Sequence, residues 1–98
     1  MPSSPRHNWT FVTNHAVVLL MVARNPRSTL RELAAVVGIT ERSVSSIIAD
    51  LETGGYVTSE KVGRGRHYEL NRALPLRHPI AAIHSVGELL AALGDTHR

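Results

Sequence analysis

The chain has 98 residues, no cysteine and a formal net charge of +3 at pH 7, with a sequence pI of about 10.2. This length accommodates one small domain, and the lack of cysteine excludes a disulfide framework, a thiolate redox switch and a thiolate metal site. No apolar run is long enough to span a bilayer, and residues 1–5 lack the hydrophobic stretch of a signal peptide, so we expect a cytoplasmic protein with no membrane partner and a disordered tail over residues 1–8.

The first predicted helix follows the pair Trp9 and Phe11. It is capped near Thr13 or Asn14 and ends at the Asn25-Pro26 pair, because proline cannot continue a helix. The segment between is apolar nearly all round, which in a small protein implies contact on more than one side. We expect one side to face the next helices and the other to face a terminal helix or a second subunit.

Two short amphipathic helices are predicted next, over residues 30–51, joined by a glycine turn. Thr29 and Glu32 have the spacing of a capping box that starts the first of them. Gly38 stands where a left-handed residue reverses the chain, and Thr40 caps the second helix, which we extend to Thr53. This layout is typical of a helix-turn-helix, in which the second helix enters the major groove of DNA.

Helical periodicity divides these residues between core and solvent. The buried stripes comprise Leu30, Leu33, Ala34 and Val37 on one helix and Val44, Ile47, Ile48 and Leu51 on the other. Arg42, Ser45, Ser46 and Ala49 are left facing outward. A polar face of small side chains suits a helix that enters a groove.

A β-hairpin is predicted after the second helix. Residues 56–62 and 67–71 are β-prone, with Tyr68 and Leu70 on one face, and residues 63–66 form a turn that contains Arg64 and Arg66. A helix-turn-helix followed directly by a hairpin is a winged helix.

This combination resembles the MarR/ArsR-like winged-helix transcriptional regulators. The likeness rests on residues 30–34, 38–44, 51–57 and the wing at 63–68, and it covers roughly residues 14 to 71. It implies that the helix from Thr40 lies in the major groove of double-stranded DNA, while the wing reaches the backbone or the adjacent minor groove. By that likeness, base and phosphate contacts belong to Arg42, Ser43, Ser45 and Ser46, and wing contacts belong to Arg64 and Arg66.

Elementary chemistry agrees with this assignment. Backbone N–H groups at the helix start after Thr40 favour a phosphate oxygen, and an arginine can pair with a guanine edge. His67, beside the wing, is interpreted as a phosphate contact or a plain strand residue. Residues 60–77 carry five cations against two carboxylates, so this segment alone holds a net charge equal to that of the chain. Such a modest patch predicts few phosphate contacts per subunit and therefore two subunits acting together.

A last helix is predicted from Pro79 to Gly94, after a connector over residues 72–78. Its apolar stripe comprises Ile80, Ile83, Val86, Leu90 and Leu93, widened by Ala82, Leu89 and Ala92. This stripe is wider than one neighbour requires, so we expect a two-fold interface that also includes Trp9, Phe11 and the first helix. The alternative is that the helix folds back as a lid over its own domain.

The sequence offers little support for functions other than DNA binding. No serine has a histidine or carboxylate spaced to activate it, and the glycines at the wing join two strands, so neither an enzyme nor a cofactor is predicted. Some ArsR-like proteins bind metals, but no two of the six histidines have the spacing of one helical turn; across a dimer, His84 is the best candidate ligand. A winged helix used only for protein interaction remains an alternative, which binding at different salt concentrations would distinguish. The lack of exposed aromatic residues on the second helix disfavours single-stranded or RNA binding.

We therefore predict a mainly α chain with a small β-hairpin, an α+β winged helix-turn-helix with an additional C-terminal helix. The predicted domains are a winged helix-turn-helix over residues 9–72 and a connector with a dimerisation helix over residues 73–98. The predicted function is a homodimeric transcriptional regulator that binds an inverted-repeat operator in double-stranded DNA. No small-molecule effector is identified, and any such ligand would lie between the helix-turn-helix and the terminal helices.

Overall fold

The computed structural model describes residues 10–94, so the predicted tail at 1–8 and Trp9 lie outside the described residues. Within that range the chain forms four helices and one two-stranded antiparallel sheet. These elements are α1 (Asn14–Arg24), α2 (Leu30–Val37), α3 (Glu41–Thr53), β1 (Val57–Val62), β2 (Gly65–Leu70) and α4 (Val86–Ala92). Helices followed by a hairpin make a winged helix-turn-helix, and the predicted fold class is confirmed.

Side-chain caps fix the starts of the first three helices. The hydroxyl of Thr13 accepts a hydrogen bond from the N–H of Ala16, and Thr29 and Glu32 form the predicted reciprocal capping box. Gly38 ends α2 at φ 84°, a left-handed conformation that a residue with a Cβ adopts only at a cost. The predicted boundaries of these helices are therefore confirmed by their caps.

The hydrophobic core lies between α1, α2, α3, the hairpin and α4. Its fully buried members are Val18, Val22, Leu33, Val44 and Leu90. The apolar character of α1 is explained by this position, because it packs against α2, α3 and β2, while its Leu19 lies near α4.

The last helix begins later than the sequence indicates. Residues 78–84 form short turns, with hydrogen bonds from Ala81 N–H to His78 O and from His84 N–H to Ala81 O. The helix starts at Val86 behind a capping box formed by Ser85 and Glu88. The prediction of a helix from Pro79 is wrong, because the decisive cap lies six residues further along the chain.

The connector also helps to place this start. It runs back along residues 72–76, and Leu74 O and Arg72 O accept hydrogen bonds from the N–H groups of Val86 and Gly87 at 2.8 and 2.9 Å. These donors belong to the first turn, where a helix cannot satisfy its own N–H groups. A Cβ on Gly87 would lie 2.9 Å from Arg72 O, so the close approach requires glycine.

This geometry divides the predicted apolar stripe. Ile80 and Ile83 lie in the turns and are each 84% exposed, whereas Val86 and Leu90 are buried in the protein's own core. The helix therefore serves as the lid that the sequence offered as the alternative, and a dimerisation role for it is not confirmed.

Candidate nucleic-acid interface

The exposed face of α3 is the polar face that the sequence predicts. Arg42, Ser43, Ser45, Ser46 and Ala49 are all exposed. Val44, Ile47, Ile48 and Leu51 are buried on the opposite side of the helix. The predicted division between core and solvent is confirmed, and no described element covers the polar face.

The start of α3 is held by Thr40 and Ser43. The Thr40 hydroxyl accepts a hydrogen bond from the Ser43 N–H at 3.0 Å and donates one to the Ser43 hydroxyl, also at 3.0 Å. The Thr40 side chain is thus occupied by the cap, whereas the hydroxyl proton of Ser43 is available to an external acceptor. Any ligand at this end would meet the backbone N–H groups of the first turn together with the side chains of Ser43 and Arg42.

A groove of about 380 Å³ lies between α3, the start of α2 and the hairpin. Ser45, Ala49 and Glu52 line it from α3. Three arginines, Arg27, Arg64 and Arg66, line it from the other two sides. We call this cleft the basic groove, because its cations outnumber its single carboxylate.

The hairpin is fixed against the helices by its backbone and by two side chains. The Tyr68 N–H donates a hydrogen bond to Pro26 O at 2.9 Å, which ties β2 to the loop before α2. Arg66 Nη1 donates to Ser59 Oγ at 3.0 Å, and Ser59 Oγ donates to Glu52 Oε2 at 2.8 Å. Burial raises the pKa of the Tyr68 hydroxyl above its ordinary value; the positive charge of Arg66 opposes this shift and the carboxylate of Glu52 adds to it.

The two wing arginines occupy different positions. The loop of the hairpin is the pair Gly63 and Arg64, since Val62 pairs with Gly65, and Arg66 already belongs to β2 opposite Lys61. The predicted four-residue turn is therefore too long by two residues. Arg64 lies at the tip, whereas Arg66 lies on a strand that is anchored to the body of the domain.

His67 and Arg42 lie away from the basic groove. His67 pairs with Glu60 on the face of the hairpin opposite to Arg66, because neighbouring residues in a strand point to opposite faces. Arg42 is exposed on the first turn of α3 and does not line the groove. The structure thus brings together Ser45, Arg64 and Arg66 from the predicted site, while Arg42 and Ser43 are exposed on the first turn of α3 outside the groove.

Sequence reasoning missed Arg27. It lies in the loop between α1 and α2, two residues before the cap Thr29, and lines the basic groove with the wing arginines. A cation next to a capped helix start is a signal that the sequence contained, because both features attract an anion. Only the packing of the loop against β2 shows that Arg27 shares a groove with the wing.

The other edge of α3 faces the start of α1. There Ser43, Ser46 and Asp50 line a shallow cleft together with His15. The Nε2 atom of His15 is 2.8 Å from Asp50 Oδ2, with both side chains about half exposed or more. This contact joins the start of α1 to the C-terminal half of α3 and places a carboxylate on that edge of the exposed face.

A small apolar cleft lies between α1, the connector and α4. Its volume is about 180 Å³, and its lining includes Ala16, Leu19, Leu76 and Leu89. Pockets for drug-sized ligands typically enclose about 300–1,000 Å³, so this cleft is too small for such a ligand in the single protomer.

Among residues 10–94, no three or more histidine, aspartate or glutamate side chains come together in a group that could hold a metal ion. No helix in the same range has the length and apolar character needed to cross a membrane.

Comparison with known sequences gives one family. The sequence model described as "MarR family" matches residues 11–66, which is more than half of the chain and includes α1, the helix-turn-helix and the wing up to Arg66. No curated protein sequence matches the chain.

Solved structures share the fold at low sequence identity. Lactococcus lactis ZitR in complex with DNA has a TM-score of 0.59 and 15% identity over 92% of this chain, and a second ZitR structure, of a zinc-responsive MarR family member, has a TM-score of 0.56 and 17% identity over 92% of it. The present chain covers 57% and 58% of those two ZitR chains. The IscR structure from T. potens has a TM-score of 0.60 and 15% identity over 93% of both chains. These likenesses establish a shared architecture.

Proposed function

Because this chain belongs to the MarR family, which comprises transcriptional regulators and not enzymes, we propose that it binds a specific sequence in double-stranded DNA as a homodimer. The observation that carries the proposal is the basic groove beside the exposed face of α3. Three arginines converge on a helix surface made of small polar side chains. Closely spaced cations next to a helix of this kind attract a polyanion, since most protein–DNA affinity comes from phosphate contacts.

We expect the residues of α3 and those of the basic groove to contact different parts of the DNA. Ser45, Ser46 and Arg42 lie on the exposed face of α3 and would read base edges in the major groove, where an arginine pairs with guanine O6 and N7. Arg27 and Arg66 flank the groove and would hold phosphates. Arg64, at the hairpin tip, would follow the adjacent minor groove. Thr40 would contribute through the backbone of the helix start, and His67 would act at most as an outer phosphate contact. ZitR, whose structure shares this fold, has been solved in complex with DNA.

The homodimer is supported by large apolar side chains that are exposed in the single protomer. Phe11 is 93% exposed, and Ile80 and Ile83 are each 84% exposed. Ile80 and Ile83 lie three residues apart in the turns over residues 78–84, and large exposed apolar side chains that lie close together are typical of an interaction surface. Two copies related by a two-fold axis would present two α3 helices to an inverted repeat, with half-sites about one helical turn apart. Two subunits would also double the few phosphate contacts that one basic groove provides.

Selection of bound sequences from random duplex DNA, repeated at two salt concentrations, tests this proposal. We expect an enriched palindromic sequence, with affinity that falls steeply as salt rises. Arg42→Ala should cost about 1–3 kcal/mol on the selected sequence, with a smaller effect on unrelated DNA, if Arg42 reads a base. Arg77→Ala removes the same charge outside the basic groove and is the matched control.

Two results would contradict the proposal. The first is affinity for duplex DNA that is absent or independent of salt, which would favour a protein-interaction module. The second is a monomer in sedimentation at the concentrations where DNA binds, combined with an enriched sequence that lacks symmetry. In that case DNA binding would stand and the homodimer would not.

A further inference from the structure

On the basis of the proposed function, we propose that Glu52 and Ser59 are positioning residues that set the side chain of Arg66 for DNA. A chain of two hydrogen bonds joins the three residues, from Arg66 Nη1 to Ser59 Oγ at 3.0 Å and from Ser59 Oγ to Glu52 Oε2 at 2.8 Å. It connects the last turn of α3 with both strands of the wing. We call it the Glu52–Ser59–Arg66 relay.

The chemistry of the relay gives it one direction. A guanidinium only donates hydrogen bonds and an ionised carboxylate only accepts them, whereas a hydroxyl does both. Ser59 therefore accepts from Arg66 and donates its proton to Glu52. Ser59→Ala breaks both bonds and leaves both charges in place.

The register of the hairpin makes the relay possible. Ser59 pairs with Tyr68 and Lys61 pairs with Arg66, so these four side chains belong to one face of the sheet. Tyr68 on this face is buried against the helices, and Arg66 is the diagonal neighbour of Ser59. Arg66 is consequently directed back toward α3. Arg64 lies at the tip of the hairpin, outside the paired residues, and takes no part in the relay.

The relay has a consequence for binding. An arginine loses rotamer freedom when it binds a phosphate. If hydrogen bonds already restrict its side chain in the free protein, binding costs less conformational entropy. Glu52 also has an opposite effect, because its negative charge in the basic groove repels phosphate. The two effects are separable, since Glu52→Gln removes the charge and keeps an acceptor for Ser59, while Glu52→Ala removes both.

The first arm of the test uses the protein without DNA. We expect the NMR order parameter of the Arg66 Nε–H group to exceed that of Arg64 in the wild type. It should fall toward the Arg64 value in Ser59→Ala and Glu52→Ala, and stay high in Ser59→Thr and Glu52→Gln. Threonine keeps the hydroxyl and suits a strand, so its rescue separates the relay from a general change in packing. An Arg66 order parameter that Ser59→Ala leaves unchanged would overturn the relay.

The second arm measures affinity for the selected DNA at two salt concentrations. Ser59→Ala should weaken binding about two- to tenfold per subunit, which corresponds to the conformational entropy lost when one side chain is immobilised. It should have no further effect when Arg66→Ala is already present, because the two residues act through one contact. Glu52→Gln should bind more tightly than Glu52→Ala, although both remove one negative charge. Equal affinities of these two variants, or a full Ser59→Ala loss in the Arg66→Ala background, would overturn the positioning role.

The two proposals fail in different ways. A wild-type chain that binds no duplex overturns the proposed function and the DNA role of Arg66, whatever the order parameters show. Normal wild-type binding with a freely moving Arg66 overturns the relay alone.

Discussion

Arg27→Ala tests whether the loop before α2 contributes a phosphate contact. Arg27 is exposed and lines the basic groove. Arg64 and Arg66 line the same groove from the wing. If Arg27 holds one phosphate per subunit, the variant dimer loses two phosphate contacts. Each contact contributes about 0.9 to the slope of log affinity against log salt, so the slope of the dimer should become shallower by about 1.8.

This slope change predicts a measurable affinity ratio. Between 50 and 200 mM salt, two lost contacts correspond to a change of about tenfold in relative affinity. The ratio of variant to wild-type Kd should therefore be about ten times larger at 50 mM than at 200 mM. Fluorescence anisotropy with one labelled duplex at four or five salt concentrations gives both slopes.

Matched variants decide whether the effect is local. Arg77→Ala removes the same charge beside the apolar cleft, and its slope of log affinity against log salt should be nearly that of the wild type. Arg27→Lys keeps a point charge and should retain most of the slope while losing paired hydrogen bonds. A slope change in Arg77→Ala as large as that in Arg27→Ala would refute the reasoning, because net charge and not the basic groove would then set the salt dependence.

Three further substitutions test the fold. Leu90→Ala should lower the free energy of unfolding by about 2–5 kcal/mol in urea titrations, because Leu90 is 0% exposed in the core, and a loss no greater than that of Leu93→Ala would contradict the lid assignment. Gly38→Ala should lower the free energy of unfolding by about 1–2 kcal/mol through backbone strain alone, since its Cβ would meet nothing within 4 Å. Gly38→Asn should be less destabilising, because asparagine tolerates the left-handed conformation better, and equal losses in the two variants would count against the left-handed turn. The hydrogen bond from the Ser85 N–H, assisted by His84, lowers the pKa of the Glu88 carboxyl, so the carboxylate stabilises the fold at neutral pH and this contribution is lost as the pH falls through the lowered pKa. The stability difference between the wild type and Glu88→Gln should accordingly narrow below about pH 4, and a constant difference down to about pH 2 would contradict the assignment.

Short-range interactions explain why so much of the helix-turn-helix was predictable. The Thr29 capping box, the left-handed Gly38 and the stripe from Val44 to Leu51 each depend on residues within a few positions of one another. Hydrogen bonds and periodicity over such short separations can be inferred directly from the order of the residues. The outward orientation of Arg42 and Ser45 followed from the same spacing.

The tertiary structure decided what depends on residues distant in the chain. The start of α4 is fixed partly by carbonyl groups of Arg72 and Leu74, which lie more than ten residues before it, so the stripe through Ile80 could not reveal it. Arg27 and Arg66 share a groove only because the N–H of Tyr68 bonds to Pro26. Local pattern therefore determined which segments fold and which faces are polar, whereas the packing of separate segments determined which charged side chains meet.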